Sequence, residues 1–288
     1  MNTQQVILPF GYTTDEDTDQ YRKWALRRNR NADYAASIID ELLQDAVRKL
    51  TKVAYKYNCK PEEWKFSQNK ELMKEVAEIM DELEDEIFAI MEEYSLNETP
   101  TKERHNYLLP LFLALTSKGA KDLRGVLHLR LMQFLYDTEA QIAAMKLAGY
   151  NQTKAVTRIL STMNTVYSSP EVNTAYRKRS SAMYLISRGI HENNKGLSSS
   201  GAINVSNLAR QTAVIMWLKS QLMTFDEKGA VGFYQLRGSD FPCNICDEEE
   251  GLHINEDWKN TSYPHAHCQC WRIPVYFNNQ TGNIDVNI

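Results

Sequence analysis

The sequence contains no apolar run that approaches the roughly 18–20 residues of a membrane-spanning helix. Its first residues, MNTQQVILPFGYTTDEDTDQ, also lack the basic segment and apolar core of a secretory signal. Neither an internal repeat nor a low-complexity tract is present. These absences predict a cytosolic protein that has no membrane partner.

An excess of positive charge is missing as well. The 37 Asp and Glu residues outnumber the 33 Lys and Arg residues, so the formal net charge is -4 and the pI is near 5.9. A dedicated duplex-binding protein normally has an overall positive field, which this composition does not supply, although a local basic face is still compatible with it. With 43% hydrophobic and 24% charged residues over 288 positions, the chain is expected to fold around a substantial core.

Apolar residues recur at three- and four-residue intervals along most of the chain before residue 228, and this spacing predicts helices. The first such helix is expected to be capped by Asn31 or Asp33. Its apolar stripe comprises Ile38, Leu42, Val47, Leu50 and Ala54. After a break at Pro61, the stripe of a second helix comprises Leu72, Val76, Ile79, Met80, Leu83, Ile87, Ile90 and Met91. Two later helices are predicted to be separated at Gly149.

Charged side chains of the helical part suggest few functional sites. Between Lys70 and Glu93 the second helix has ten acids and two lysines. This is read as a solvated acidic face, with a surface for a basic partner such as a neighbouring subunit as the alternative. The basic run YRKRS at 176–180 is likewise read as solvated rather than bound to phosphates. His105 and His128 have no cysteine or acid at ligand spacing, so we expect them to be packed or exposed.

After Gly229 the pattern changes to short, aromatic and β-branched segments. AVGFYQLRG (230–238) and WRIPVYFN (271–278) predict two strands that bracket a group of cysteines. The predicted fold is mainly α, with a multi-helix N-terminal bundle and a small C-terminal zinc-binding module that contains short β-strands. The predicted divisions are an extended arm and short helix over 1–30, a helical domain over 31–228, the zinc-binding module over 229–278 and a polar tail over 279–288.

Four of the five cysteines lie in this module. Cys243-x-x-Cys246 is the usual first half of a tetrahedral zinc site, and PHAHCQC offers the second half at the spacing of zinc ribbons. The six donors for one four-coordinate ion are Cys243, Cys246, His265, His267, Cys268 and Cys270. We predict that Zn²⁺ is bound by Cys243, Cys246, His265 and one of the last two cysteines, with Cys268 slightly preferred over Cys270. Cys59 is interpreted as an ordinary thiol, and His253 as structural or exposed.

The predicted zinc is interpreted as structural. A hydrolytic site leaves a coordination position open to water, whereas thiolate-rich sites with four ligands are closed and stabilise a fold. Glu248-x-Glu250 is similar to the paired glutamates of ADP-ribosyltransferases, but an acidic turn after a zinc knuckle explains it equally well. A zinc deaminase would need a His-x-Glu helix, whereas here Glu192 directly follows His191.

The order NLARQTAVIMWLKSQLMTF, GAVGFYQLRGSDFPCNICDEEEG and YPHAHCQCWRIP resembles the C-terminal half of phage Mu F-like head morphogenesis proteins, also called minor head or minor capsid proteins. The matching positions are Ala209, Arg210, Gln211 and Thr212, the strand Gly232–Leu236, Asp240, Cys243, Cys246, Gly251, His265, Cys268, Cys270 and Pro274. The sequence departs from the family pattern at Gln211 and Thr212, where Thr and Glu are usual, and at Ala266 and Gln269. The resemblance covers roughly the last 85 residues.

This resemblance implies a structural or assembly role in a tailed phage, with a few copies near the portal vertex. The implied partners are phage portal or capsid proteins, and the implied location is the virion, with the host cytoplasm during assembly. DNA contact and homo-oligomer formation stay open. No catalytic residue is assigned. The alternatives are a nucleic-acid-binding zinc module and a phage-borne enzyme, either an ADP-ribosyltransferase or a nuclease.

Overall fold

The computed structural model describes residues 15–57, 65–97, 99, 101–116, 119–168, 201–238, 244–254, 257–260, 269–278 and 283–285. Its helices are α1 (Asp15–Lys56), α2 (Lys70–Leu96), α3 (Lys102–Leu113), α4 (Leu123–Leu147), α5 (Gln152–Ser168), α6 (Gly201–Glu227) and the short α7 (Asn244–Glu248). Its strands are β1 (Gly232–Leu236), β2 (Gly251–His253), β3 (Trp271–Asn278) and β4 (Asn283–Asp285). The described chain is therefore mainly helical with a small C-terminal sheet, as predicted.

The sheet has the strand order β2-β1-β3-β4, and all neighbouring strands are antiparallel. β1 and β3 are the two strands predicted from the sequence pattern. β4 lies in the segment predicted as a polar tail, where it pairs with the end of β3 from Tyr276 to Asn278. The sheet thus continues beyond the predicted boundary at residue 278.

The apolar stripe predicted for α2 is confirmed. Leu72, Val76, Met80, Leu83, Ile87 and Met91 are buried, and Ile79 and Ile90 pack against the same core. Asn69 begins this helix by accepting hydrogen bonds from the amides of Glu71 and Leu72 at 2.8 and 3.2 Å. The helix is therefore held by a polar cap at its start and by one continuous apolar face along its length.

The core face of α1 differs from its predicted stripe by one residue at two places. Ile39 and Leu43 are fully buried, whereas Ile38 and Leu42 are half-buried. α1 packs against α2, α5 and α6, so its apolar surface is wider than one stripe. A prediction based on one apolar stripe therefore identifies the helix but places the centre of its buried face incorrectly.

The prediction that Asn31 or Asp33 caps a helix is wrong. α1 begins at Asp15 and continues through the predicted boundary between residues 30 and 31. The Asn31 amide nitrogen instead donates to the carbonyl oxygen of Tyr94 at 2.7 Å, and Asp33 forms an ion pair with Arg210 at 2.8 Å. Both side chains join α1 to neighbouring helices. The sequence pattern of a helix cap does not distinguish such tertiary contacts from capping.

The acidic face of α2 is partly paired within the chain. Arg124 of α4 lies 2.7 Å from Asp85 and 3.8 Å from Glu84, and the Nδ1 atom of His128 lies 2.9 Å from Glu84. Lys56 of α1 forms a further pair with Glu75. Lys74 lies 3.9 Å from Glu78 on α2 itself. The remaining exposed acids are Glu71, Asp81, Glu82, Glu86 and Glu93. None of the described helices is both long enough and apolar enough to cross a membrane.

Candidate metal centre

The two strands that flank the cysteine motif in the sequence, β1 and β3, are paired in the sheet. Because these strands are antiparallel, the last residue of β1, Leu236, is opposite the first residue of β3, Trp271. The chain that leaves β1 leads to Cys243 and Cys246, and the chain that enters β3 comes from His265, Cys268 and Cys270. Residues 237–238, which follow β1, and residues 269–270, which precede β3, therefore lie at the same end of the β1-β3 pair.

The close approach of the two segments continues beyond the paired residues. A Cβ atom added at Gly238 would lie 1.8 Å from the carbonyl oxygen of Gln269. This distance is far shorter than a non-bonded contact allows, and the obstructing atom belongs to the backbone. Only glycine fits at position 238 while the segment before Cys270 keeps its place.

We expect Gly238→Ala to destabilise the module by about 2 kcal/mol or more, because the backbone at Gln269 must shift to admit the methyl group. Hydrogen exchange of the β1 and β3 amides should show the loss directly. Gly125→Ala inside α4 is the matched control, since its added Cβ would meet a rotatable side-chain oxygen of Asp122 at 3.3 Å. Equal exchange of β3 in wild type and Gly238→Ala would contradict the close approach.

Two of the predicted ligands, Cys246 and Cys270, lie in the described part of the chain and are buried. Cys246 lies on α7 and is 5% exposed, and Cys270, which directly precedes β3, is 6% exposed. Both segments are joined to Arg237. Its guanidinium forms an ion pair with Asp247 of α7, and its carbonyl oxygen accepts a hydrogen bond from the Trp271 indole at 3.3 Å. Arg237 therefore links the segment of each cysteine to the end of β1.

The other three predicted ligands, Cys243, His265 and Cys268, lie outside the described residues, as does His267. Within the described residues alone, no group of three or more His, Cys, Asp or Glu side chains could hold a metal ion. The donor chemistry nonetheless fits zinc, because the sulfurs of the buried Cys246 and Cys270 are the soft ligands that a structural zinc site uses. Zinc and its ligand set stay predictions.

The remaining histidines of the described residues have other contacts. His253 stacks on Phe233 with ring centroids 4.7 Å apart, and its Nε2 atom lies 2.8 Å from the Glu249 carbonyl oxygen. His128 is exposed and pairs with Glu84, and His105 is half-buried on α3. These positions agree with the structural or solvent-facing roles expected for them.

The two glutamates of the Glu-x-Glu pair are exposed. Glu248 ends α7, and Glu250 precedes β2. The side chain of Asp247, next to this pair, is engaged with Arg237. The pair thus lies at the end of α7 and in the short segment that leads to β2.

The sheet packs between two helices of the body. On one face Leu236, Trp271 and Ile273 contact Ala25 and the ring of Tyr21 on α1. On the other face, Phe233 and Trp258 pack with residues near the end of α6. The ion pair between Lys259 and Asp226, 2.6 Å long, adds a polar link to α6. The module is therefore docked on the helical body on both faces.

Two buried arginines beside the module were not found from the sequence. Arg28 of α1 is 1% exposed, and its Nη2 atom donates to the carbonyl oxygen of Cys270 at 3.0 Å. Arg272 donates from Nε to the side-chain oxygen of Gln235 at 3.1 Å and lies 4.3 Å from the centre of the Phe233 ring. Burial, followed by the positive charge of Arg272, lowers the pKa of Lys219. Side chains of the strand WRIPV alternate between the two faces of the sheet, and this alternation could have indicated that Arg272 is buried. The basic run around Arg28 gave no such signal.

Comparison of the chain with protein-family models, with curated proteins and with solved structures found no match. The resemblance to head morphogenesis proteins therefore stays a prediction that depends on the motif residues. What the fold adds is the pairing of β1 with β3, the burial of Cys246 and Cys270, and the docking of the module on α1 and α6.

Proposed function

We propose that this chain is a minor head or head morphogenesis protein of a tailed phage, with a structural or assembly role near the portal and a C-terminal module held by zinc. The observation that carries the proposal is the β1-β3 pairing, which sets the end of β1, just before Cys243-x-x-Cys246 in the sequence, opposite the start of β3, just after His265 to Cys270. This pairing supports a single site formed from both halves of the motif rather than two unrelated cysteine pairs.

In this proposal the residues that would hold the ion are Cys243, Cys246 and His265, together with Cys268 or Cys270. Bound Zn²⁺ would supply a four-coordinate crosslink between the two segments. A module of about 50 residues buries little apolar surface by itself, so the crosslink would contribute much of its folding free energy. Cys246 and Cys270 already lie in a protected environment, each less than a tenth exposed.

A scaffold role is further supported by the location of the Ala-Arg-Gln-Thr signature on α6. Ala209 and Thr212 are buried at 1% and 2% exposure, and Arg210 forms its ion pair with Asp33 of α1. Arg210 thus joins α6 to α1, Ala209 packs in the main core, and the Thr212 hydroxyl donates to the Leu208 carbonyl oxygen within α6. A packing role of this kind, beside a thiolate-rich metal site, favours a structural protein over an enzyme.

The proposal is tested by mass spectrometry of purified phage particles together with metal analysis of the isolated full-length chain. We expect a few copies in each particle and one zinc per chain. Absence from both procapsids and mature particles would contradict the head assignment, and a zinc-free chain would contradict the metal site. NAD turnover or DNA cleavage that disappears in a folded Glu250→Gln variant would identify an enzyme instead.

A further inference from the structure

Arg28 forms a buried contact between the N-terminal helix and the last donor residue of the cysteine motif. Its guanidinium donates to the Cys270 carbonyl oxygen at 3.0 Å, across 242 residues of sequence, and a second nitrogen donates to the Asn29 side chain at 3.1 Å. The arginine is 1% exposed. A charged donor that is withdrawn from water in this way depends on its hydrogen-bond partners, so the contact is energetically important.

Arg28 continues a face of α1 that already lies on the sheet. Tyr21 and Ala25 contact the sheet at Trp271, Ile273 and neighbouring residues. Positions 21, 25 and 28 are four and three residues apart, the spacing that lines up side chains on one side of a helix. The face that covers the apolar part of β3 therefore ends at Arg28, where β3 begins and the cysteine segment precedes it.

We propose that Arg28 is a positioning residue for the metal site: by holding the backbone of Cys270 against α1, it couples metal binding to the docking of the module. This inference rests on the proposed zinc site. Groups that fix the ligand residues of a metal site from outside raise its affinity, because the ligands lose less conformational freedom on binding. Here the helical body performs this task through one side chain.

The geometry of the arginine is part of the proposal. The planar guanidinium can donate from several nitrogens in fixed directions, and two of them bond to Cys270 and Asn29. A lysine at this position would keep the positive charge and much of the stem but not the two directed bonds. The Arg28→Lys variant therefore separates the effect of charge from the effect of hydrogen-bond geometry.

The test uses the full-length chain in wild-type form and as Arg28→Gln, Arg28→Lys and the control Arg30→Gln, which changes an exposed arginine on the same helix. Zinc affinity is measured by competition with a chromophoric chelator, thiolate ligation by the absorption of bound Co²⁺, and docking by hydrogen exchange of β3. We expect Arg28→Gln to weaken zinc binding roughly 10- to 100-fold and to speed exchange of β3.

Arg28→Lys is expected to weaken binding by a smaller factor, and Arg30→Gln should match wild type. If Arg28→Gln does not fold, the lysine variant provides the comparison. A wild-type chain that holds one zinc, with unchanged affinity and unchanged β3 exchange in the Arg28 variants, would overturn the role of Arg28 alone. A wild-type chain that binds neither zinc nor Co²⁺ would overturn the proposed metal site and this inference together.

Discussion

Replacement of Cys246 by serine is expected to abolish zinc binding and to unfold residues 231–276, while helices α1 to α6 stay folded. Serine is a poor ligand for zinc, and structural sites contribute apparent binding free energies of about 10–16 kcal/mol in small zinc peptides. The apolar burial of a module of about 50 residues does not by itself supply a comparable free energy of folding. Removal of one thiolate should therefore cost more than the docking contacts on α1 and α6 can offset.

The expected loss is measured by metal content, by hydrogen exchange of the β1 and β3 amides and by the far-ultraviolet circular dichroism of the helices. Chelation of the wild-type chain should reproduce the effect. Cys59→Ser is the matched control, because Cys59 is the one cysteine outside the motif. Separate Cys268→Ser and Cys270→Ser variants identify the fourth ligand. Full zinc content in Cys246→Ser would contradict the predicted ligand set.

Elements with strong local patterns could be predicted from the sequence. The stripe of α2 follows from apolar residues at three- and four-residue spacing, and β1 follows from a short aromatic segment between a turn and a cysteine knuckle. The break at Gly149 is likewise local, because this residue has a φ of +71°, a conformation that glycine adopts readily. In each case the information lies within a few residues of the element.

The extent of α1 could not be predicted in this way. Its first two turns are polar and charged, with little apolar periodicity, and they lead directly into Tyr21, Trp24 and Ala25, which pack against the sheet and α6. Those partners are about 190 to 250 residues away in the chain, and local patterns do not report such contacts. The large sequence separation of Arg28 and Cys270 likewise prevents their hydrogen bond from being predicted from local patterns.

For the candidate site, the sequence predicts the metal-donor residues but not the residues that hold them in place. Cysteine and histidine spacing is a direct chemical signal for zinc. The requirement for glycine at position 238, the Arg237 link and the Arg28 contact depend on how β1 and β3 meet, which spacing does not describe. The residues that surround a metal site are therefore harder to find than those that bind the ion.

Trp217→Ala is expected to destabilise the helical body by about 3–5 kcal/mol, because it opens a large cavity among packed helices. Trp217 is 1% exposed on α6, and its ring centre lies 5.4 Å from that of Trp24 on α1. Its indole nitrogen also donates to the carbonyl oxygen of Tyr94 at 3.2 Å. The side chain thus joins α6 to α1 and α2 at one point.

Urea denaturation followed by circular dichroism measures this loss, with zinc present in every sample. Trp217→Phe is the matched control: it keeps most of the apolar volume, and the Tyr94 carbonyl still accepts from Asn31, so a loss of only about 1–2 kcal/mol is expected. If the Trp217→Ala variant had the same free energy of unfolding as wild type, this would contradict the packing of α6 on α1. Because Trp217 acts in the body and Cys246 in the module, Trp217→Ala should lower the helical transition, whereas Cys246→Ser should chiefly affect exchange in β1 and β3.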